Sequence, residues 1–215
     1  MSWLMVDIAH GKIGLIADSH SKNSLMLTAI HTLRAMGAST FIHLGDICDS
    51  LMPENLDEAV EILNRYKVKA ILGNNEYMLI SEYLLNHADG LKEATISFLK
   101  ELPYTIVAGE ICFTHSLPFD WPAATRRPIK EYLPVLMESN RPHPHRIIFR
   151  GHSHSPSVIE IEDGCMEELT LDPGEKITLY KERIYVITVG AVENGACALF
   201  DPASYEFCPV SLTSK

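Results

Sequence analysis

Two histidines separated by one serine follow an apolar run in the segment FRGHSHSP, residues 149–156. In an extended chain, residues two apart point to the same side, so the imidazoles of His152 and His154 would face one spot. Imidazole nitrogens are common ligands of divalent transition metals. By itself the pair is as consistent with an exposed polar turn as with a metal site, and the rest of the sequence is needed to decide between the two.

Other side chains with metal-binding chemistry stand where apolar runs end. They are Asp18 and His20 in ADSH, Asp46 and Asp49 in GDICD, Asn74, Asn75 and Glu76 in GNNE, and His115 in FTHS. The carboxyl ends of parallel strands meet at one edge of a sheet, so we expect these side chains to lie close together. Oxygen and imidazole donors without thiolates suit Mn, Fe, Zn, Ni or Co. So many donors exceed what one tetrahedral ion needs and fit two ions about 3.5–4 Å apart that share a carboxylate, an arrangement used in phosphoryl transfer.

Alternating strand and helix patterns would position these residues. KIGLIADSH, TFIHLGD and VKAILGNNE are predicted strands, and the segments between them have the apolar spacing of helices. A Ser or Asn is available as N-cap of the first helix, Gly37 ends it, and Pro53 lies in the first turn of the second. This alternation predicts parallel strands covered by helices, which is an α/β fold.

The remainder of the chain is predicted to contain mostly strands. YTIVAGEICFTHS reads as a β-hairpin, and strands are expected in RIIF, SVIEIED, KITLY, RIYVITVG and CALFD. Residues 117–145 are rich in proline and least regular, so we expect a surface region that borders the site and shapes its pocket. Neither a repeat nor a linker is visible, which predicts one domain over residues 1–215.

Composition narrows the functional classes. The formal net charge of −10 argues against broad binding to nucleic acid or to anionic membranes and favours a small substrate. The five cysteines form no CxxC pair, so neither a disulfide framework nor a thiolate zinc site is predicted. Without an export signal or a long apolar run, the chain is expected to be cytoplasmic. The sequence leaves open whether it forms a homo-oligomer.

The ordered set DSH, GDICD, GNNE, THS and GHSH resembles the calcineurin-like metallophosphoesterases, whose pattern is DxH, GDxxD, GNH(D/E), a later His and GHxH. The resemblance covers residues 12–154, and the tail VITVGAVENGACALFD is similar to the terminal strands of the small bacterial and archaeal members. It implies a β-sandwich of two mixed sheets flanked by helices, and hydrolysis of phosphate esters at a dinuclear centre.

Carried over by position, the resemblance implies that Asp18, His20 and His154 bind one metal. Three other residues would bind the second metal, namely Asn74, His115 and His152. Asp46 would bridge the two ions, which hold a hydroxide as nucleophile, and Mn is the first choice of metal. Asp49 would orient a ligand or its loop.

The third motif departs from the family pattern, because Asn75 stands where the family has a histidine. An amide can donate a hydrogen bond to a phosphoryl oxygen, but it cannot act as a general acid near neutral pH. The small phosphodiesterases that this chain resembles also lack this histidine, which favours a phosphodiesterase. A phosphomonoesterase and a non-catalytic metal-binding scaffold for protein interactions remain as alternatives.

Several other polar residues are predicted to have ordinary roles. We expect His43 to be a core histidine with a local partner, Cys48 to be a buried filler, and His143 and His145 to lie in a surface loop. Arg126 and Arg127 could reach a substrate phosphate, although a solvated loop pair is the preferred interpretation.

Overall fold

A computed structural model describes residues 3–6, 11–49, 53–83, 90–117, 128–137 and 145–212. Its strands are β1 Trp3–Met5, β2 Lys12–Ile16, β3 Ala38–His43, β4 Lys69–Ala70, β5 Thr105–Ala108, β6 Ile111–Thr114, β7 Ile147–Arg150, β8 Ser157–Glu162, β9 Cys165–Leu169, β10 Ile177–Thr178, β11 Ile184–Thr188, β12 Ala196–Asp201 and β13 Glu206–Ser211. Its α-helices are α1 Asn23–Ala35, α2 Leu56–Tyr66, α3 Asn74–Met78, α4 Glu93–Glu101 and α5 Leu133–Met137. A π-helical turn, Leu79–Tyr83, continues α3, and short 3₁₀ turns are found at Pro53–Asn55, Ile129–Tyr132 and Val192–Asn194.

The strands form two mixed sheets. One has seven strands in the order β1-β5-β6-β7-β11-β8-β9, and the other has six in the order β10-β13-β12-β2-β3-β4. β2, β3 and β4 run parallel, as do β6, β7 and β11, whereas hairpin partners such as β5 and β6 are antiparallel. The predicted sandwich of two mixed sheets flanked by helices is confirmed.

An aromatic and aliphatic core joins the facing sheets. The Phe149 ring lies 5.5 Å from Phe113 in its own sheet and 4.9 Å from Phe200 in the opposite sheet, measured between ring centroids. All three rings are fully buried, and offset aromatic pairs of this kind add to the stability gained from burial. This core fixes the relative position of the two sheets and of the loops at their ends.

Helices cover the outer face of the six-stranded sheet. α1 turns Met26, Ile30 and Leu33 onto this face, at the three- and four-residue spacing of one helical stripe. The predicted Ser or Asn cap is wrong, because Lys22 is the N-cap and Asn23 is the first helical residue. The Asn23 amide instead donates to the Asn55 carbonyl and to Glu58, which ties α1 to α2.

One other local prediction needs correction. His145 is predicted to lie in a surface loop, but it is only 3% exposed and lies two residues before β7. The acidic segment after Gly164 forms strand β9, whose residues are largely exposed and show no apolar alternation by which the sequence could have revealed it. A turn at Asp163–Gly164 joins β8 to β9. Among the described helices, none is both long and apolar enough to span a membrane.

Candidate metal centre

The predicted ligands follow strand ends from both sheets. Asp18 follows β2, Asp46 follows β3, and Asn74 begins α3 after β4, so the six-stranded sheet supplies this half of the site. From the seven-stranded sheet, His115 follows β6, and the loop after β7 carries His152 and His154. The backbone N–H of His152 donates to both Asp18 oxygens, at 2.9 and 3.1 Å, which ties the two halves together.

Backbone strain is concentrated in these loops. Five of the predicted ligands have positive φ angles between 41° and 69°, a region that non-glycine residues seldom adopt: Asp18, His20, Asp46, His152 and His154. Strained residues persist where surrounding contacts hold them, and they cluster at functional sites. The loops also approach very closely: a Cβ on Gly73 would overlap the backbone nitrogen of Asp46.

Three side chains converge on one side of the site. The Nε2 atoms of His20 and His154 lie 3.3 Å apart, and His154 Nε2 is 3.6 Å from Asp18 Oδ1. On its far side, His154 Nδ1 donates to Glu193 Oε1 at 2.9 Å. Glu193 therefore fixes the imidazole with its Nε2 lone pair facing His20 and Asp18, as outer carboxylates do for metal-binding histidines.

Three other side chains converge on the opposite side. Asn74 Oδ1 is 2.9 Å from His115 Nε2 and 2.9 Å from His152 Nδ1, and these two nitrogens are 3.2 Å apart. His115 Nδ1 donates to the Leu44 carbonyl at 2.8 Å. Burial lowers the pKa of His115, so the imidazole is neutral and its Nε2 carries a lone pair.

Asp46 lies between the two groups. Its Oδ2 is 3.9 Å from His20 Nε2, and its Oδ1 is 3.5 Å from His115 Nε2, so each oxygen faces one group. Asn75 holds this carboxylate through its backbone N–H to Oδ1 and its side-chain amide to Oδ2, both at 2.9 Å. Here the Asn75 amide orients Asp46, a contact that the sequence did not predict.

The donor set fits bound cations. The lone pair on His115 Nε2 faces Asn74 Oδ1, so two acceptors meet at hydrogen-bond distance, and a shared cation would turn this contact from repulsive to favourable. Burial raises the pKa of Asp18 well above its ordinary range, and the nearby charge of Asp46 raises it further. Divalent ions would compensate this buried negative charge. Asp18, His20 and His154, and also Asp18, Asp46 and His115, offer ligand atoms within 4.8 Å of one another.

Separate substitutions of His152 and His154 test the division into two groups. We expect His152→Ala to weaken the ion on the Asn74 side and His154→Ala to weaken the ion on the Asp18 side. Each variant should retain one tightly bound Mn²⁺, with spectroscopically different environments in electron paramagnetic resonance. Loss of the same single ion from both variants would refute the division.

Glu76, grouped above with the candidate metal donors, instead organises the loop that carries Asp46. Its fully buried carboxylate accepts backbone N–H groups of Gly73, Asp46, Ile47 and Cys48 at 2.8–3.1 Å. Burial raises the pKa of Glu76 to about 7, and the charge of Asp46 adds to this effect. Glu76 thus accepts the backbone hydrogen bonds that hold the GDIC turn in its conformation.

The other residues considered from the sequence do not belong to the two groups of converging ligands or lie outside the described residues. Asp49 is half-buried and belongs to neither group of converging ligands. His43 is fully buried and bonded to Ser19 Oγ at 2.9 Å, which agrees with a core histidine, and Cys48 is fully buried as expected. His143 and the pair Arg126 and Arg127 lie outside the described residues.

Two residues near the site were not singled out from the sequence. Glu193 supports His154 from a turn 39 positions along the chain, and Arg150 lies in the cleft beside the site. The only sequence signal for Arg150 was its place directly before the GHSH motif, at the end of a strand.

Comparisons with known proteins bear on the family and the fold. The profile of the calcineurin-like phosphoesterase superfamily domain matches residues 12–194. No curated protein matches the chain. A metallophosphoesterase from Sphaerobacter thermophilus is 19% identical with a TM-score of 0.72, covering 95% of this chain and 89% of its own.

Two further solved structures show the same fold at low identity. A candidate diadenosine tetraphosphatase is 15% identical with a TM-score of 0.56, covering 97% of this chain and 98% of its own. A protein serine/threonine phosphatase from Saccharomyces cerevisiae is 14% identical with a TM-score of 0.51, covering 100% of this chain and 84% of its own.

Proposed function

This chain belongs to the calcineurin-like phosphoesterase superfamily, and we propose that it is a phosphodiesterase that uses two divalent transition metal ions, with Mn as first choice. Within the family we group it with the small bacterial and archaeal phosphodiesterases that lack the histidine of the third motif. Its substrate is a small phosphate ester, and its place of action is the cytoplasm.

One observation carries the proposal: Asp46 stands between two groups of converging donors, with one oxygen toward each. Asp18, His20 and His154 would hold one ion, and the other would be held by Asn74, His115 and His152, with Asp46 shared. When bound, such ions lower the pKa of water to supply the nucleophile and neutralise phosphoryl charge. A scaffold without catalysis has no need for seven competent donors in this arrangement.

The chain's own residues prepare the site for this chemistry. Glu193 and the Leu44 carbonyl fix the ring orientations of His154 and His115, so that their Nε2 atoms face the centre. Asn75 holds both oxygens of Asp46 and offers no proton to a leaving group. The site therefore suits esters whose leaving group departs as an anion, such as activated aryl diesters.

Substitutions of Asn75 separate its two roles. Asn75→Ala removes the amide donor to Asp46 Oδ2, and we expect a drop in metal affinity of about 10- to 100-fold, the usual effect of losing an outer hydrogen bond to a ligand. Asn75→His restores the family residue, and we expect it to favour substrates with poor leaving groups, measured as the ratio of alkyl to aryl diester hydrolysis. An unchanged ratio would contradict the proposal that the absence of a histidine at position 75 restricts the chain to good leaving groups.

The experiment that tests the proposed function is a metal-reconstituted substrate comparison. Protein loaded with Mn²⁺, Co²⁺ or Ni²⁺ should hydrolyse bis(p-nitrophenyl) phosphate faster than p-nitrophenyl phosphate. A clear preference for the monoester would make the chain a phosphomonoesterase. An inert protein that binds no metal would favour the scaffold alternative.

A further inference from the structure

A cleft of about 470 Å³ adjoins the candidate metal centre on the outer face of the seven-stranded sheet. His152 and His154 form its inner end, Ile129 borders it from the segment before α5, and Ser157 and Thr188 line the sheet side. Ser157 and Thr188 are directly opposite one another on β8 and β11. The cleft thus extends from the metal ligands across a surface that offers hydroxyl groups.

Arg150 places a fixed positive charge in this cleft. It is the last residue of β7 and faces the same side of the sheet as Ile148, two positions earlier, which packs against Tyr132 and Leu136. The residue is 4% exposed, and its Nη2 donates to Ser153 Oγ at 2.8 Å. Ser153 stands between His152 and His154, so this bond holds the guanidinium beside the metal ligands.

The charge of Arg150 acts on the metal-ligand candidate Asp18. Burial raises the pKa of Asp18, and the Arg150 guanidinium opposes that rise. A guanidinium stays protonated at any physiological pH, so it stabilises an anion without donating a proton. Its planar fork matches phosphate oxygens, and neighbouring hydroxyls are suited to the same group.

Asn75 and Arg150 together restrict the leaving group. An alkoxide leaving group needs a proton that Asn75 cannot supply. A departing phosphate needs none, because its second pKa is about 6, and the cleft offers an arginine to receive its charge.

We propose that Arg150 binds a second phosphate of the substrate, so that the natural substrate is a pyrophosphate diester, in which the leaving group is itself a phosphate, such as a dinucleoside diphosphate. This inference rests on the proposed function. In the reaction the oxygen of water bonds to the scissile phosphorus, and the bond from that phosphorus to the bridging oxygen breaks. The electron pair stays on the departing phosphate, and the two protons of the water pass to solvent, leaving two phosphomonoesters.

The test compares two substrates in the metal-loaded protein, diadenosine diphosphate and bis(p-nitrophenyl) phosphate, which has no second phosphate. Arg150→Gln should lower kcat/KM for diadenosine diphosphate by about 10- to 100-fold, the scale of a charge-assisted hydrogen-bonded contact. The loss on the aryl diester should be clearly smaller, so the ratio of the two kcat/KM values should fall, and bound Mn²⁺ per chain measured on the same sample separates this effect from loss of metal. Arg150→Lys, which keeps the charge and lowers the risk of unfolding, should recover part of the loss.

Each outcome has a distinct meaning. Equal losses on both substrates, or no loss on either, would overturn the assignment of Arg150. If the parent protein hydrolyses the aryl diester but not diadenosine diphosphate, the second-phosphate subsite is wrong while the proposed function stands. If the parent protein hydrolyses neither substrate with any added metal, the proposed function itself fails.

Discussion

Asp46→Asn is expected to lower metal-dependent diester hydrolysis by about 10²- to 10³-fold, the scale of losing one preorganised electrostatic group. The side chain keeps its size, but it loses the charge that would be shared between the His20 and His115 sides of the site. Bound metal should fall from two ions per chain to one or fewer. Turnover and metal content measured on the same sample check this.

Without metal, the same substitution should not lower the stability of the protein. Asp46 raises the pKa of Asp18 and Glu76 after the larger effect of burial, so it is one of three neighbouring buried carboxyls. Removing its charge should leave the melting temperature of the metal-free protein unchanged or higher, since functional sites often trade stability for activity. Glu167→Gln, the same change on exposed strand β9, is the matched control and should alter neither property. Full activity and two bound ions in Asp46→Asn would contradict a bridging role.

Glu76→Ala is expected to lower the free energy of unfolding by about 3 kcal/mol or more. The substitution leaves four backbone N–H groups in the interior without their acceptor, and each such orphan costs about 1–3 kcal/mol. Glu76→Gln should be intermediate, because its carbonyl oxygen can still accept from two of the four donors. Urea denaturation of the metal-free proteins measures the effect.

An exposed glutamate provides a matched control for Glu76→Ala. Glu101→Ala, at the exposed end of α4, removes a carboxylate of the same size without touching the GDIC turn and should cost much less. A Glu76→Ala protein as stable as its parent would show that the turn keeps its conformation without this acceptor.

Strand ends could be located from the sequence because apolar runs stop there. Asp18, Asp46 and His115 each follow such a run. Asp18 and Asp46 follow neighbouring parallel strands whose ends meet at one edge, whereas His115 follows β6 of the other sheet and joins them through the packing of the two sheets. The division of His152 and His154 between two groups depended on the family resemblance, and in the structure His152 approaches Asn74 while His154 approaches Asp18.

Supporting contacts could not be predicted in the same way. The Glu76 carboxylate reaches amides 28–30 positions earlier, and Glu193 reaches a histidine in a loop 39 positions earlier, so neither bond leaves a local pattern. The Asn75 amide could have faced substrate or Asp46, and only the folded loop decides. Strand β9 was hidden because both of its faces are exposed, which removes the alternation that identifies most strands.

Metal stoichiometry is the most direct test of a two-ion site centred on Asp46. Protein stripped with chelator, dialysed against Mn²⁺ and analysed by inductively coupled plasma mass spectrometry should contain two ions per chain. Hydrolysis of bis(p-nitrophenyl) phosphate should appear only as the sites fill. A chain that binds no transition metal, or that hydrolyses the diester equally well after chelation, would contradict the account.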